Sequence, residues 1–116
     1  MQYIPITNSK LYKQVFDIGD KYTNRLFVAV YRKLEPQLAS ERDFPKQYIG
    51  LIASRKVGNA VQRNFCKRRI RAAFRELEYD SGNAFQAVII ARKNLINCDY
   101  QDFKKELLKF LKRCCG

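Results

Sequence analysis

The sequence has no histidine, and its four cysteines, Cys66, Cys98, Cys114 and Cys115, show no Cys-x-x-Cys spacing. Without histidine the commonest general base is missing, and neither a Ser-His nor a Cys-His catalytic pair can form. The same absences argue against a zinc site, since zinc is usually held by spaced cysteine and histidine ligands. Cys66 is expected to be a small core residue, and the adjacent Cys114 and Cys115 to be incidental thiols.

The chain also lacks clustered carboxylates, which a protein nuclease usually needs to hold Mg²⁺. Its 11 acidic residues are scattered, and the nearest approach to a cluster is Glu76, Glu78 and Asp80. We interpret those three as the acidic end of a helix and the turn after it. We therefore expect a binding protein with no catalytic residues, no metal ligands and no small-molecule substrate.

Long apolar runs are missing as well: nothing approaches the ~20 residues of a membrane span, and the N-terminus has no signal-peptide pattern. A cytoplasmic protein without a membrane partner is expected. The 116 residues suit one domain, 1–116, and the 47% of apolar residues is enough to form a core. A net charge of +12 favours polyanionic partners and salt-dependent binding.

Much of that charge is concentrated between Ser54 and Arg75, where no acidic residue occurs before Glu76. Residues turn about 100° each around a helix axis. On such a wheel one stripe is polar and basic: Asn64, Lys67, Arg68, Arg71 and Arg75. A second stripe is apolar: Cys66, Ile70, Ala73, Phe74 and Leu77. One face can therefore enter a core while the next presents cations without carboxylate partners, which favours phosphate contacts.

Gly58 and Asn59 stand where the chain is expected to turn from a strand into this helix. Glycine tolerates positive φ, and Asn59 is predicted to be the N-cap. The free N–H groups of a helix start, with Arg55, Lys56 and Arg63 nearby, predict a phosphate-binding position.

The run RKVGNAVQRNFCKRRIR, from Arg55 to Arg71, resembles the signature of the bacterial ribonuclease P protein family, K-K-x-G-N-A-V-x-R-N-R-x-K-R-x-x-R. LYKQVFDIG from Leu11, NRLFV from Asn24 and VIIARK from Val88 resemble further family segments in the same order. The resemblance covers roughly residues 8 to 112 of the chain. One departure is clear: the family's arginine after Arg63 and Asn64 is Phe65 here, which removes an expected cation.

The resemblance implies the accessory subunit of an endoribonuclease that removes the 5′ leader of precursor tRNA. The catalyst would be the RNA subunit, with Mg²⁺ held mainly by RNA. It further implies a set of residues that bind the RNA subunit: Arg55, Lys56, Asn59, Arg63, Asn64, Lys67, Arg68, Arg71 and Arg75. The leader would lie between the first helix and the sheet, where the family's aromatic positions align with Tyr12 and Phe16. From spacing alone, those two aromatics are more often core residues.

The apolar patterns predict helices at Lys10–Ile18 (capped by Ser9), from Asn59 to about Glu78, and after Asp99. They predict strands at Arg25–Arg32, Gln47–Arg55 and Ala84–Arg92, with a loop at Leu34–Lys46 and a turn at Asp80–Asn83. The fold class is α+β: an α/β sandwich with a mixed sheet of about four strands and three helices, in the order α-β-β-β-α-β-α. The family resemblance implies a left-handed βαβ crossover, whereas sequence physics favours the right-handed form.

Three alternatives remain open at this point. A ribosomal protein or RNA chaperone would have similar charge and size. A DNA-binding regulator would place the basic helix in a major groove, although the helix lies between strands rather than in a helix-turn-helix pair. An autonomous nuclease would cleave without an RNA cofactor.

Overall fold

A computed structural model describes residues 1–34, 47–79 and 83–115. Its strands are β1 (Ile4–Pro5), β2 (Asp20–Thr23), β3 (Phe27–Lys33), β4 (Gln47–Ile52) and β5 (Phe85–Ala91). Its α-helices are α1 (Ser9–Ile18), α2 (Ala60–Glu76) and α3 (Tyr100–Phe110). A 3₁₀ turn (Lys93–Leu95) precedes α3, and a π-helical turn (Leu111–Cys115) follows it. Most of the predicted loop at 34–46 and turn at 80–83 lies outside the described residues.

The strands form one mixed sheet in the order β1-β4-β5-β3-β2. β4 pairs with β5 in parallel, and the connection between them runs through α2, as predicted. β3 is antiparallel to β5, and β2 is antiparallel to β3. The α+β class and the predicted element order are confirmed, whereas the hand of the β4–α2–β5 crossover stays a prediction.

The sheet has five strands rather than about four. β1 pairs with β4 over only two residues, which is too short to leave an alternating pattern in the sequence. The predicted cap of α1 was wrong by one residue, because the Asn8 side chain accepts the first helical hydrogen bond, from Lys10 N–H at 2.8 Å. β3 starts later than predicted because Asn24 Oδ1 holds the N–H groups of Leu26 and Phe27 in a turn.

Two other ends differ from the prediction. β4 stops at Ile52, three residues before the predicted end, and a turn follows it. α2 ends at Glu76 rather than near Glu78, because Leu77 leaves helical geometry while its N–H still bonds to Ala73 O.

The larger core lies between the sheet and the helices α2 and α3. Phe85, Ala87 and Ile89 of β5 point to this side, as strand alternation requires, and all three are fully buried. Phe27 packs edge-on against Phe103 and Phe110 of α3. Tyr31 also packs against Phe110, so both aromatic residues of β3 lie on the side of the sheet that faces α3. The predicted core role of Cys66 is confirmed, and burial raises the pKa of its thiol.

α1 covers the opposite face of the sheet with a smaller core. Val15 is fully buried there against Val30 and Val88. Beside this smaller core, residues at the ends of β4 and β5 line an open depression, which is part of the site described next.

Candidate nucleic-acid interface

The start of α2 is built by a capping box. Asn59 Oδ1 accepts the Gln62 N–H, and Gln62 Oε1 accepts the Asn59 N–H, both at 2.9 Å. Gly58 has φ of 153°, and a Cβ there would collide with the Gln62 side chain. The predicted N-cap is confirmed, and Gly58 is needed both for its backbone angle and for the space that Gln62 takes. Arg55 and Lys56 are exposed in the turn before this start.

The outward face of α2 carries cations that have no hydrogen-bond or salt-bridge partner among the described residues. Asn64, Arg68 and Arg71 line a shallow groove of about 430 Å³ together with Val61, whose side chain points to solvent. Within the described part of the chain, the Arg68 and Arg71 side chains make no hydrogen bond or salt bridge. Arg75 continues this row as an exposed residue one turn further on. We call this face the outward flank of α2.

Two predicted RNA-binding residues lie off the outward flank, toward its edge. Lys67 and Arg63 are half-buried, and the Arg63 Nε hydrogen finds no acceptor in the described ranges. Most of the residues that the sequence predicted for RNA binding therefore lie on one surface, and Arg63 lies at its margin.

Arg69 belongs to a different surface, on the side of α2 that faces α3. Its Nη1 donates to the carbonyl oxygen of Cys98, and its guanidinium lies over the rings of Phe65 and Tyr100, at 4.9 and 5.6 Å. Such cation–π contacts contribute about 0.5–2 kcal/mol each. We call this contact region the α2–α3 seam.

The α2–α3 seam continues through Glu76. Its carboxylate accepts the Tyr100 hydroxyl at 2.9 Å and the Lys104 ammonium at 3.1 Å. These two hydrogen bonds hold the pKa of Glu76 below its usual value. Two effects raise the pKa of Tyr100 to about 12: partial burial, which is the larger, and the hydrogen bond to Glu76. Glu76 is the last residue of α2, at the acidic helix end that the sequence predicted, and its carboxylate joins α2 to α3.

On the other side of the sheet, Tyr12 and Phe16 differ in exposure. The Tyr12 hydroxyl accepts the Leu51 N–H at 3.2 Å, and its ring lies so close to Gly50 that a Cβ there would sit 2.7 Å from it. Phe16, one turn further along α1, is 42% exposed. Tyr12 is thus partly a packing residue, as its spacing alone suggested, whereas Phe16 presents its ring to solvent.

A second depression, which we call the basin, encloses about 430 Å³ at the carboxyl ends of β4 and β5. It was not predicted from the sequence. Val28 and Ile90 form its apolar floor. Its polar rim comes from the segments that follow the two strands: Ser54, Lys56, Arg92, Lys93 and Asn94. The signal was available, because carboxyl ends of parallel strands meet at one sheet edge, and Arg92 and Lys93 stand at the end of the predicted last strand and directly after it.

The basin opens on the face of the sheet that α1 covers, because Ile90 of its floor packs in one cluster with Tyr12 of α1 and with Ile52. The Tyr12 hydroxyl also accepts the Leu51 N–H near the carboxyl end of β4. An aromatic side, an apolar floor and a basic rim are the features with which proteins hold single-stranded nucleic acid.

Within residues 1–34, 47–79 and 83–115, no three cysteine, aspartate or glutamate side chains converge to form a metal site. Over the same ranges no helix is both long and apolar enough to cross a membrane.

A family model described as ribonuclease P matches residues 3–115. The ribonuclease P protein component of Listeria innocua is 41% identical over 101 residues, which are 87% of this chain and 79% of that protein. The corresponding protein of Bacillus cereus strain G9842 is 42% identical over 104 residues, 88% of this chain and 83% of that one.

Solved structures show the same architecture. The RNase P protein from Thermotoga maritima superposes with a TM-score of 0.73 at 28% identity, with full coverage of both chains. The RNase P protein of Staphylococcus aureus has the same TM-score at 24% identity, covering 96% of this chain and 94% of that one, which supports the fold alone.

Proposed function

The chain belongs to the ribonuclease P protein family, and we propose that it acts as the protein subunit that docks on the catalytic RNA and helps to bind precursor tRNA. The observation that carries this proposal is the outward flank of α2. Its cations follow a helix start with free backbone N–H groups and have no carboxylate partners among the described residues. Arginine binds phosphate oxygens through two parallel hydrogen bonds, so such a row is suited to an RNA backbone.

We assign the RNA subunit to the outward flank and the helix start. The proposed contacts are those of the sequence analysis: Arg55, Lys56, Asn59, Arg63, Asn64, Lys67, Arg68, Arg71 and Arg75. The Asn59 side-chain oxygen is engaged in the capping box, so its part in binding is to hold the first turn of α2 in place. Phosphate contacts of this kind make affinity fall with salt, by about 0.7–0.9 in log K per log salt for each phosphate neutralised.

The single-stranded 5′ leader of precursor tRNA is assigned to the basin beside α1. Phe16 offers a ring for base stacking, which is tolerant of sequence because every base has an aromatic face. Arg92 and Lys93 at the rim are suited to bind the leader's phosphates. Tyr12 supports this surface through its contact with Gly50.

We assign the chemistry to the RNA subunit rather than to this chain. Metal-dependent phosphodiester cleavage needs ions held near the scissile bond, and the described residues bring no three carboxylates together to hold them. In this proposal Mg²⁺ is held mainly by RNA, and the protein raises the affinity for substrate in the cytoplasm.

The proposal is tested by cleavage of a precursor tRNA at low Mg²⁺, with protein alone, a bacterial ribonuclease P RNA alone, and both together. Cleavage at the mature 5′ end that requires both components is the expected result. Binding of RNA without any stimulation of cleavage would instead favour a ribosomal or chaperone role. Cleavage by the protein alone would overturn the assignment of the chemistry to RNA.

A further inference from the structure

Phe65 stands in α2 where the family pattern has an arginine, and the fold does not require it as a core residue. It is half-buried and lies outside both hydrophobic clusters of the described residues. A half-buried aromatic ring at the edge of a basic surface has apolar area left that a partner can cover.

One face of the Phe65 ring is already occupied and fixed. The Arg69 guanidinium lies 4.9 Å from the ring centroid, and Arg69 is itself held by the Cys98 carbonyl and the Tyr100 ring. The ring is therefore backed by a cation that cannot move away easily. A planar group that arrives on the opposite face would complete a layered stack.

The neighbours of Phe65 on the outward flank are suited to such a group. Val61 and Ala72 precede and follow it by four and seven residues, so the three form an apolar strip along α2. Val61 is 73% exposed and also lines the groove with Arg68 and Arg71. Apolar and cationic side chains thus run side by side along α2. An unpaired nucleotide needs both, an apolar surface for its base and a cation for its phosphate.

We propose that Phe65 stacks against an unpaired base of the ribonuclease P RNA, while Arg68 and Arg71 hold the adjoining phosphates. This inference rests on the proposed function and deepens it at the same site. In this chain the contact made at position 65 is therefore stacking, which depends little on salt, instead of an ion pair with phosphate. The alternative is a purely structural role, in which Phe65 packs against the Arg69 guanidinium and contributes only to folding stability.

The chain has no tryptophan, so Phe65→Trp creates a single fluorescent reporter at the proposed stack. A ribonuclease P RNA is titrated into this variant at fixed salt. Stacking on a base predicts strong quenching of the emission that saturates together with binding. Emission that stays unchanged while RNA binds would overturn the proposal.

The matched control is Tyr22→Trp, which places the reporter between Phe27 and Phe110 on the α3 side of the sheet. Its emission is expected to stay constant during the titration. Quenching of equal size at both positions would show a general effect of RNA rather than a stack at residue 65, and would also contradict the proposal.

A second variant, Phe65→Leu, keeps an apolar side chain but removes the ring. We expect about tenfold weaker binding, the equivalent of one stacked base, with the slope of log K against log salt unchanged. Unchanged affinity, or a slope reduced by about one as for a lost phosphate contact, would overturn the proposal.

Failure of this inference can be told apart from failure of the proposed function. If the wild-type protein fails to bind the RNA or to stimulate cleavage, the proposed function itself fails. If cleavage is normal and the Phe65 variants have no effect, only this inference is removed.

Discussion

Arg68 and Arg69 are neighbours in the chain, but the structure gives them opposite surroundings. Arg69 lies in the α2–α3 seam, where the Cys98 carbonyl and the rings of Phe65 and Tyr100 satisfy it. Arg68 lies on the outward flank, where no described residue pairs with it. Positive charge alone thus does not identify an RNA contact; the absence of protein partners, together with exposure, does.

The two flanks also make different demands on the protein. The seam contains carboxylate, hydroxyl and aromatic groups that balance its cations, so it adds to folding stability. The outward flank concentrates like charges without compensation, which is unfavourable for the free protein and is relieved by a polyanion. Variants of the two surfaces should therefore separate folding stability from RNA affinity.

Reversing the charge of Arg68 and Arg71 together should weaken binding to ribonuclease P RNA at least about 100-fold, since two charge-assisted contacts of about 1.5 kcal/mol each are lost. The matched control is Lys105→Glu in α3 with Lys112→Glu in the π-helical turn after it; both lysines are exposed, and the pair changes net charge equally. Binding measured at one salt concentration checks both. Equal weakening by the two pairs would mean that net charge, not the outward flank, governs affinity.

Gly58→Ala should lower the free energy of unfolding by about 2 kcal/mol, because the residue is forced into a strained backbone angle and its Cβ meets Gln62. RNA affinity should fall too, because the start of α2 positions the outward flank. Urea unfolding measures the first effect. The double variant Gly58→Ala with Gln62→Ala removes the collision but not the strained angle, so full recovery of stability would contradict the backbone explanation.

Arg69→Ala should lower the free energy of unfolding by about 1–2 kcal/mol, through the lost hydrogen bond and cation–π contacts. Its effect on RNA affinity should not exceed that of Phe65→Leu, since Arg69 acts only by backing the ring. Arg68→Ala should show the reverse pattern, with stability unchanged within about 0.5 kcal/mol. Thermal melts and RNA titrations of both variants check the contrast, which fails if the two behave alike.

The smallest expected effect concerns the pH dependence of the seam. The pKa of Tyr100 is raised to about 12 in the folded protein, above its ordinary value of 10.0. Its contribution to stability is therefore complete below pH 10 and is lost as the pH rises toward 12. Tyr100→Phe should remove this part of the alkaline loss of stability while leaving RNA affinity unchanged. An identical alkaline profile for the variant and the wild type would contradict the assignment.

Local features of the site were predictable from the sequence. The Asn59 cap depends on residues three apart, and the outward flank depends on helical spacing, so both follow from short-range patterns. The prediction of an apolar stripe on α2 was correct for the same reason, and its five residues are buried.

Features that depend on distant residues were not predictable. The role of Tyr12 comes from its contact with Gly50, and that of Arg69 from Cys98, which is 29 residues away. The basin beside α1 combines segments that follow two different strands, so it exists only once β4 and β5 pair. Such contacts depend on tertiary packing, which no local pattern records.

The most direct test of the central claim is the salt dependence of binding to ribonuclease P RNA for the wild type, Arg68→Gln and Arg69→Gln. Each variant loses one positive charge, so net charge is matched. The account predicts that Arg68→Gln reduces the slope of log K against log salt by about 0.7–0.9, and that Arg69→Gln leaves it unchanged. A reduced slope for Arg69→Gln, or none for Arg68→Gln, would contradict the assignment of RNA binding to the outward flank.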